Sequence, residues 1–228
     1  MRHGQDLEYR QLTKAEKIER FTTNEKKNSI ESFMQGIAHA HNCDMRKAIS
    51  LTGPNIPNHQ DKLMHYDFLY VPELNKMALE IMESAARGTR NKKHSNGMIS
   101  FSRPKFGYNV PGKTIICPKC FFSVYKEDQD HCFGLVDFDA CCAASRELKE
   151  KLFFILDTNT AKRWAFRICI TSRNGDESSR SFMKSIEKYA EKSWKILHVA
   201  IRNYKEMIPG RNVGGAPMFM MQLIMENK

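Results

Sequence analysis

Cysteine and histidine are concentrated in one short stretch: Cys117-Pro-Lys-Cys120 is followed by His131-Cys132 and then by Cys141-Cys142. A two-residue gap lets both thiolates of a tight turn face one ion, and a second pair about ten to twenty residues on would complete a tetrahedron. The spacing points to a structural zinc ion held by Cys117 and Cys120 with a pair drawn from His131, Cys132, Cys141 and Cys142. The doublets leave that second pair open, because adjacent side chains seldom reach the same ion. A plainer alternative is that the thiols are small buried hydrophobes beside a hairpin, and redox or catalytic use is a third. His39, His41 and Cys43 form a weaker group, read as helix-end residues that bind nothing.

The sequence has no His-x-Glu to accompany the Cys-x-x-Cys as in nucleic-acid deaminases. It also has no His-Glu-x-x-His, no P-loop and no Gly-x-Gly-x-x-Gly. These absences lead to the expectation that the protein is not an enzyme.

Charge is partitioned around the cluster. The chain has 228 residues and a formal net charge of +10, yet residues 84–126 carry nine basic residues and no acid. At the overall frequency of 26 acids in 228 residues, such a stretch would hold about five. Arg87, Arg90, Lys92, Lys93, Arg103, Lys105, Lys113 and Lys119 lie there, interleaved with Phe106 and Tyr108 among other aromatics. Cations suit phosphates and aromatic faces suit unpaired bases, so these residues are candidate nucleic-acid contacts. The plain alternative is a solvated surface over aromatics that form core around the cysteines. Lys184, Lys188, Lys192 and Lys195 make a second candidate surface, with Arg180 and Arg202 on the same side of a long helix.

The elements that must position these residues read as mainly helical. Apolar spacing and capping residues predict helices over Thr13–Phe21, Asn24–Ala40, Pro72 to about Arg87 and Ser145 to about Leu156. A long amphipathic helix is expected over Ser178–Tyr204, and a last apolar helix near Pro217–Met225. Thr52–Asp61 reads as a loop, Gly88–Gly112 as irregular, Thr114–Tyr125 as a short hairpin, and Asn174-Gly175 as a turn. Ala161–Thr171 alternates like a strand between helical flanks. The expected fold class is thus mainly α with a small irregular/β zinc-stabilised subdomain (α+β). Its divisions are 1–87 helical, 88–144 basic and Cys/His-rich, and 145–228 helical.

No apolar run approaches the ~20 residues that span a bilayer, and the N-terminus lacks the apolar core of a secretory signal. With clustered rather than evenly spread cysteines, this places the protein inside a cell, in cytoplasm or nucleus, or in a virion or infected host cell. The functional expectation is a non-enzymatic nucleic-acid-binding protein with single-stranded RNA preferred over DNA, self-assembling as a homo-oligomer in the manner of a viral nucleocapsid, coat or matrix protein. The alternatives are a protein-protein adaptor or shell protein with a methionine-rich sticky C-terminus, and a peripheral binder of anionic membranes.

Overall fold

The computed structural model describes residues 25–51, 65–86, 91–103, 112–171, 176–205 and 217–228. The chain runs α1 (Glu25–Ala40), β1 (Lys47–Ser50), β2 (Phe68–Pro72), α2 (Lys76–Ala86), β3 (Asn91–Lys93), β4 (Ile99–Arg103) and β5 (Gly112–Cys117). It continues through α3 (Phe121–Glu127), β6 (Leu135–Ala143), α4 (Arg146–Thr158), β7 (Arg163–Thr171), α5 (Asp176–Ser193), β8 (Trp194–Lys205) and β9 (Pro217–Asn227).

These strands form one sheet in the order β3-β4-β5-β2-β1-β6-β7-β9-β8. Strands β5, β2, β1, β6 and β7 are parallel, whereas β9 runs antiparallel between β7 and β8. At the other edge β3 and β4 form an antiparallel hairpin against β5. Helices cover both faces. Met34 and Ala38 of α1 and Met82 of α2 pack on one. Apolar residues of α3, α4 and α5, among them Tyr125, Leu152 and Ile186, pack on the other. This is a doubly wound α/β architecture. It overturns the expectation of a mainly helical chain with a small zinc-stabilised subdomain.

The differences have physical causes. A strand buried on both faces loses its alternation and reads as a plain apolar run. β9 is such a strand, with Met218 to Met225 all buried, and it stands where a last helix was expected. Its methionines are core, so they supply no sticky surface. The long helix expected to Tyr204 stops at Ser193, and the chain passes directly into β8 with no glycine or proline to mark the change. Trp194, Ile196, Val199 and Ile201 favour a strand, and eleven residues of β8 pair along β9. Pro72 ends β2 instead of opening a helix, and Asn75 caps α2 by accepting from the Ala78 N–H at 3.3 Å.

Other expectations hold. α1 occupies nearly the predicted span and closes with Asn42 at φ 54°, a left-handed residue that lets Cys43 N–H bond Ala38 C=O at 3.1 Å. α4 begins after Ser145, whose hydroxyl accepts from Leu148 N–H at 3.1 Å. Gly134 enters β6 so close to the Asp44 backbone that a Cβ would sit 1.5 Å from its carbonyl oxygen. Thr13–Phe21, Thr52–Asp61 and Asn174-Gly175 lie outside the described residues. Among the described residues no helix is long and apolar enough to cross a membrane.

Candidate functional site

Strand order dictates where a ligand would bind. From β1 the chain winds outward through β2 to β5, then returns to place β6 on the other side of β1. At such a reversal neighbouring crossovers leave on opposite faces, opening a crevice at the carboxyl ends of the strands. The rim of that crevice is formed by Ser50 at the end of β1 and Leu51 after it, Glu73 and Leu74 after β2, and the end of β6.

Glu73 is held firmly. Its N–H donates to Cys117 C=O at 2.9 Å, tying the ends of β2 and β5 together, and Oε1 accepts from Asn75 N–H at 2.7 Å. A carboxylate has about four acceptor positions, so Glu73 keeps capacity for a ligand. Beside it Leu74 is 65% exposed, the most open large apolar side chain among the described residues. An acceptor and an apolar surface thus adjoin at the end of β2.

Level with the end of β1, β6 is acidic and mostly buried. Ser50, Asp137, Arg167 and Gln222 lie in one register row across β1, β6, β7 and β9. Asp137 Oδ2 accepts from Ser50 Oγ at 2.8 Å and from Arg167 Nη1 at 3.3 Å. Arg167 also donates through Nε and Nη2 to Gln222 Oε1, at 3.2 and 3.0 Å. Gln222 Nε2 in turn donates to the Met34 carbonyl of α1 at 2.7 Å. One residue pair further on, Asp139 is bonded to Lys27 of α1. Burial pushes the Asp137 carboxyl up to about 6, Glu31 and Asp139 adding to the rise against the pull of Arg167 and Ser50. For Lys27 burial opposes the charge, but Asp139 and Glu31 outweigh it and its pKa rises. Among the described residues, Oδ1 of both Asp137 and Asp139 is buried without a hydrogen-bond partner.

The zinc expectation fails on topology. Cys117 and Cys120 stand at the carboxyl end of β5, and α3 then carries the chain to the amino end of β6. His131 and Cys132 therefore lie at the opposite rim. Cys117 is buried against Met98 Sδ at 3.8 Å, and burial pushes its thiol up to about 12. Cys120 caps α3 by accepting from Ser123 N–H at 3.4 Å. His131 stacks on Tyr125 with centroids 4.9 Å apart, and Cys132 Sγ accepts from Arg46 Nη2 at 3.0 Å. Cys141 and Cys142 belong to the end of β6. Among the described residues no three His, Cys, Asp or Glu side chains gather as metal ligands would.

The described candidate nucleic-acid residues are distributed over β3, β4, β5, the turn after β5, α5 and β8. Lys92 and Lys93 are exposed on β3, Arg103 belongs to β4, and Lys113 is exposed on β5. Lys119 pairs with Glu127 at 2.6 Å. Lys184, Lys188 and Lys192 lie on α5, with the Lys192 ammonium 4.7 Å from the Tyr189 ring centroid. Lys195 and Arg202 belong to β8, and Arg202 lies over the Phe33 ring of α1. The continuous cationic helix face proposed for membranes is therefore split between a helix and a strand. Arg87, Arg90, Lys105, Phe106 and Tyr108 lie outside the described residues.

Sequence reasoning missed Glu73, Asp137, Asp139, Arg167 and Gln222. Four of them carried a signal, since each interrupts an apolar run in which a polar group needs a partner. Glu73 stands twenty residues after Gly53, the spacing of the acid that bonds a ribose in doubly wound folds.

No protein-family model matches the chain, and no curated protein matches it in sequence. Its fold is nonetheless similar to solved structures. Trm1 of Pyrococcus horikoshii in complex with S-adenosyl-L-methionine superimposes with a TM-score of 0.56 at 11% identity, over 88% of this chain and 56% of that one. The N-methyltransferase NodS of Bradyrhizobium japonicum WM9, in complex with S-adenosyl-L-homocysteine, gives 0.54 at 7% identity over 91% and 90%. An rRNA methylase of Streptococcus thermophilus gives 0.50 at 11% identity over 87% and 95%. The reading as a non-enzymatic viral structural or RNA-binding protein with structural zinc is overturned by this likeness and by the dispersed thiols: the chain has the Rossmann-like fold of these methyltransferases.

Proposed function

We propose that this protein is an S-adenosylmethionine-dependent methyltransferase acting on a nucleic acid. The observation that carries the reading is the pairing of a reversal in strand order with Glu73 and Leu74 at the end of β2. In doubly wound folds the acid at that place accepts from ribose hydroxyls, and the exposed Leu74 offers an apolar face to the adenine. The donor set fits the rest of the group. S-adenosylmethionine carries a sulfonium and an ammonium, and the three carboxyl groups of Glu31, Asp137 and Asp139 lie close together with Lys27 and Arg167 along β6. The two unpartnered carboxylate oxygens there suit a cationic ligand better than a phosphate-bearing one.

When bound, S-adenosylmethionine supplies an electrophilic methyl carbon that a nitrogen, oxygen or carbon nucleophile of a substrate can take. The residues of this chain hold and shape the site. Glu73 orients the ribose, and Leu74 keeps water from the base. Lys27 and Arg167 hold Asp139 and Asp137 in place, which keeps a negative field along β6 beside the end of β1. A nucleic-acid substrate is supported by the net charge of +10 and the acid-free stretch 84–126. It is supported also by the rRNA methylase among the similar structures.

The test is transfer of a tritium-labelled methyl group from S-adenosylmethionine to unmodified total RNA, with DNA and protein as parallel substrates. Label entering RNA supports the proposal in full. Label entering only protein or only small acceptors would overturn the nucleic-acid part, and no transfer to any class would overturn the activity.

A further inference from the structure

The crossover from β2 to β5 holds more than the helix that a parallel connection needs. After α2 it inserts the β3–β4 hairpin, which adds two antiparallel strands beyond β5. This insertion contains no acid. Its register aims it at the site: Lys93 pairs with Ile99 and Ile99 with Ile116, so the turn from His94 to Met98 sits level with the carboxyl end of β5. The turn is closed by Gly97 N–H donating to His94 C=O at 3.0 Å, with Gly97 at φ 80°. It packs on the turn after β5, where a Cβ on Gly97 would lie 3.3 Å from Pro118 Cγ. Cys117, next to that proline, accepts the Glu73 N–H. The hairpin turn, the turn after β5 and Glu73 therefore form one continuous rim. β3 stands three strand spacings from β2, about 14 Å, within reach of a few nucleotides.

Lys92 and Lys93 follow one another on this strand, so they point to opposite faces of the sheet. Lys93 is 68% exposed, and it pairs with Glu83 at 3.7 Å, a contact that solvent screens. From this placement we infer that the β3–β4 hairpin is the docking edge for the phosphate backbone of a single-stranded RNA segment, which Lys92 and Lys93 grip from either face while the target nucleotide reaches toward Glu73. This rests on the proposed activity for the destination of the strand, but the lysine contacts can be measured without it. The charge complementarity is local: α5 also carries lysines, but Glu187 and Glu191 stand among Lys184 and Lys188 along one groove there.

The experiment uses the full chain and a fluorescein-labelled, mixed-sequence single-stranded RNA of twelve nucleotides, followed by fluorescence anisotropy across a salt series. Lys92→Gln with Lys93→Gln is expected to weaken RNA binding by about tenfold and to flatten the log–log salt slope by about 1.4, two contacts at ~0.7 each. Lys184→Gln with Lys188→Gln serves as the remote control and should change neither quantity appreciably. S-adenosylmethionine binding by both variants should match wild type. The inference is overturned if the hairpin variant keeps the wild-type slope, if the α5 variant loses as much, or if wild type binds no RNA. If the hairpin dependence holds but S-adenosylmethionine does not bind, the methyltransferase reading fails while the docking edge stands.

Discussion

Asp137 is a carboxyl group held away from water, with Arg167 and Ser50 on one oxygen and Glu31 and Asp139 nearby. Burial raises its pKa from the ordinary value to about 6. Between about pH 4 and 6 the folded chain thus holds a proton that the unfolded chain has released. The associated stability is fully present below pH 4 and is lost as pH rises through about 6. Asp44 and Glu226 are shifted downward through their bonds to Arg46 and Arg163, so they contribute with the opposite sign. The comparison must therefore be with Asp137→Asn. Urea denaturation at intervals from pH 4 to 7 should show wild type losing up to ~1.4 kcal/mol per pH unit relative to that variant. Parallel curves would mean that Asp137 is ionised throughout. Part of this chemistry was legible: two acids at alternate positions in Leu-Val-Asp-Phe-Asp had to share one face of a strand. What they would meet there was not, since Arg167 lies thirty residues away and belongs to another strand.

At the scale of elements, α1 is fastened to the sheet by polar contacts inside an apolar interface. Gln222 is fully buried and serves two partners at once, the Arg167 guanidinium and the Met34 carbonyl. Gln222→Met keeps the volume and flexibility of the side chain but leaves a buried cation short of an acceptor. The expected cost is about 3 kcal/mol, read from the midpoint shift in denaturant. A loss below 1 kcal/mol would show that Arg167 finds another acceptor and that the row is not a fastening. Helices with caps were readable in advance, because Ser145 and the stripe of α4 are local signals. The join of α5 to β8 was not. The 3.6-residue spacing of Phe182, Ile186 and Tyr189 continues by coincidence into the half-buried Leu197 and the buried Ala200 and Tyr204, which are covered as part of a strand and not as a helical stripe. Gln222 carried the opposite lesson: one amide amid Met-Phe-Met-Met and Leu-Ile-Met was a signal for a both-sides-buried strand with one polar neighbour.

For the whole molecule, the fold gathers beneath α1 groups scattered from Lys27 to Gln222 and separates a cysteine cluster that looked continuous. That inversion is a property of parallel sheets. Each crossover returns the chain to the opposite edge, so residues close in sequence, such as Cys120 and His131, end far apart, while Ser50, Asp137 and Arg167 become neighbours. The basic partition of the chain was legible from composition, but the glycine fingerprint that would have announced a nucleotide crevice is missing, with Gly53 the only glycine between β1 and β2. The proposed activity requires that the crevice take S-adenosylmethionine. Titration calorimetry with S-adenosylmethionine on the full chain should give one site per molecule, weakened about 30-fold by Glu73→Ala through loss of about 2 kcal/mol of charge-assisted bonding to the ribose. Binding with equal affinity in wild type and Glu73→Ala, or no heat at all with the folded protein, would contradict it.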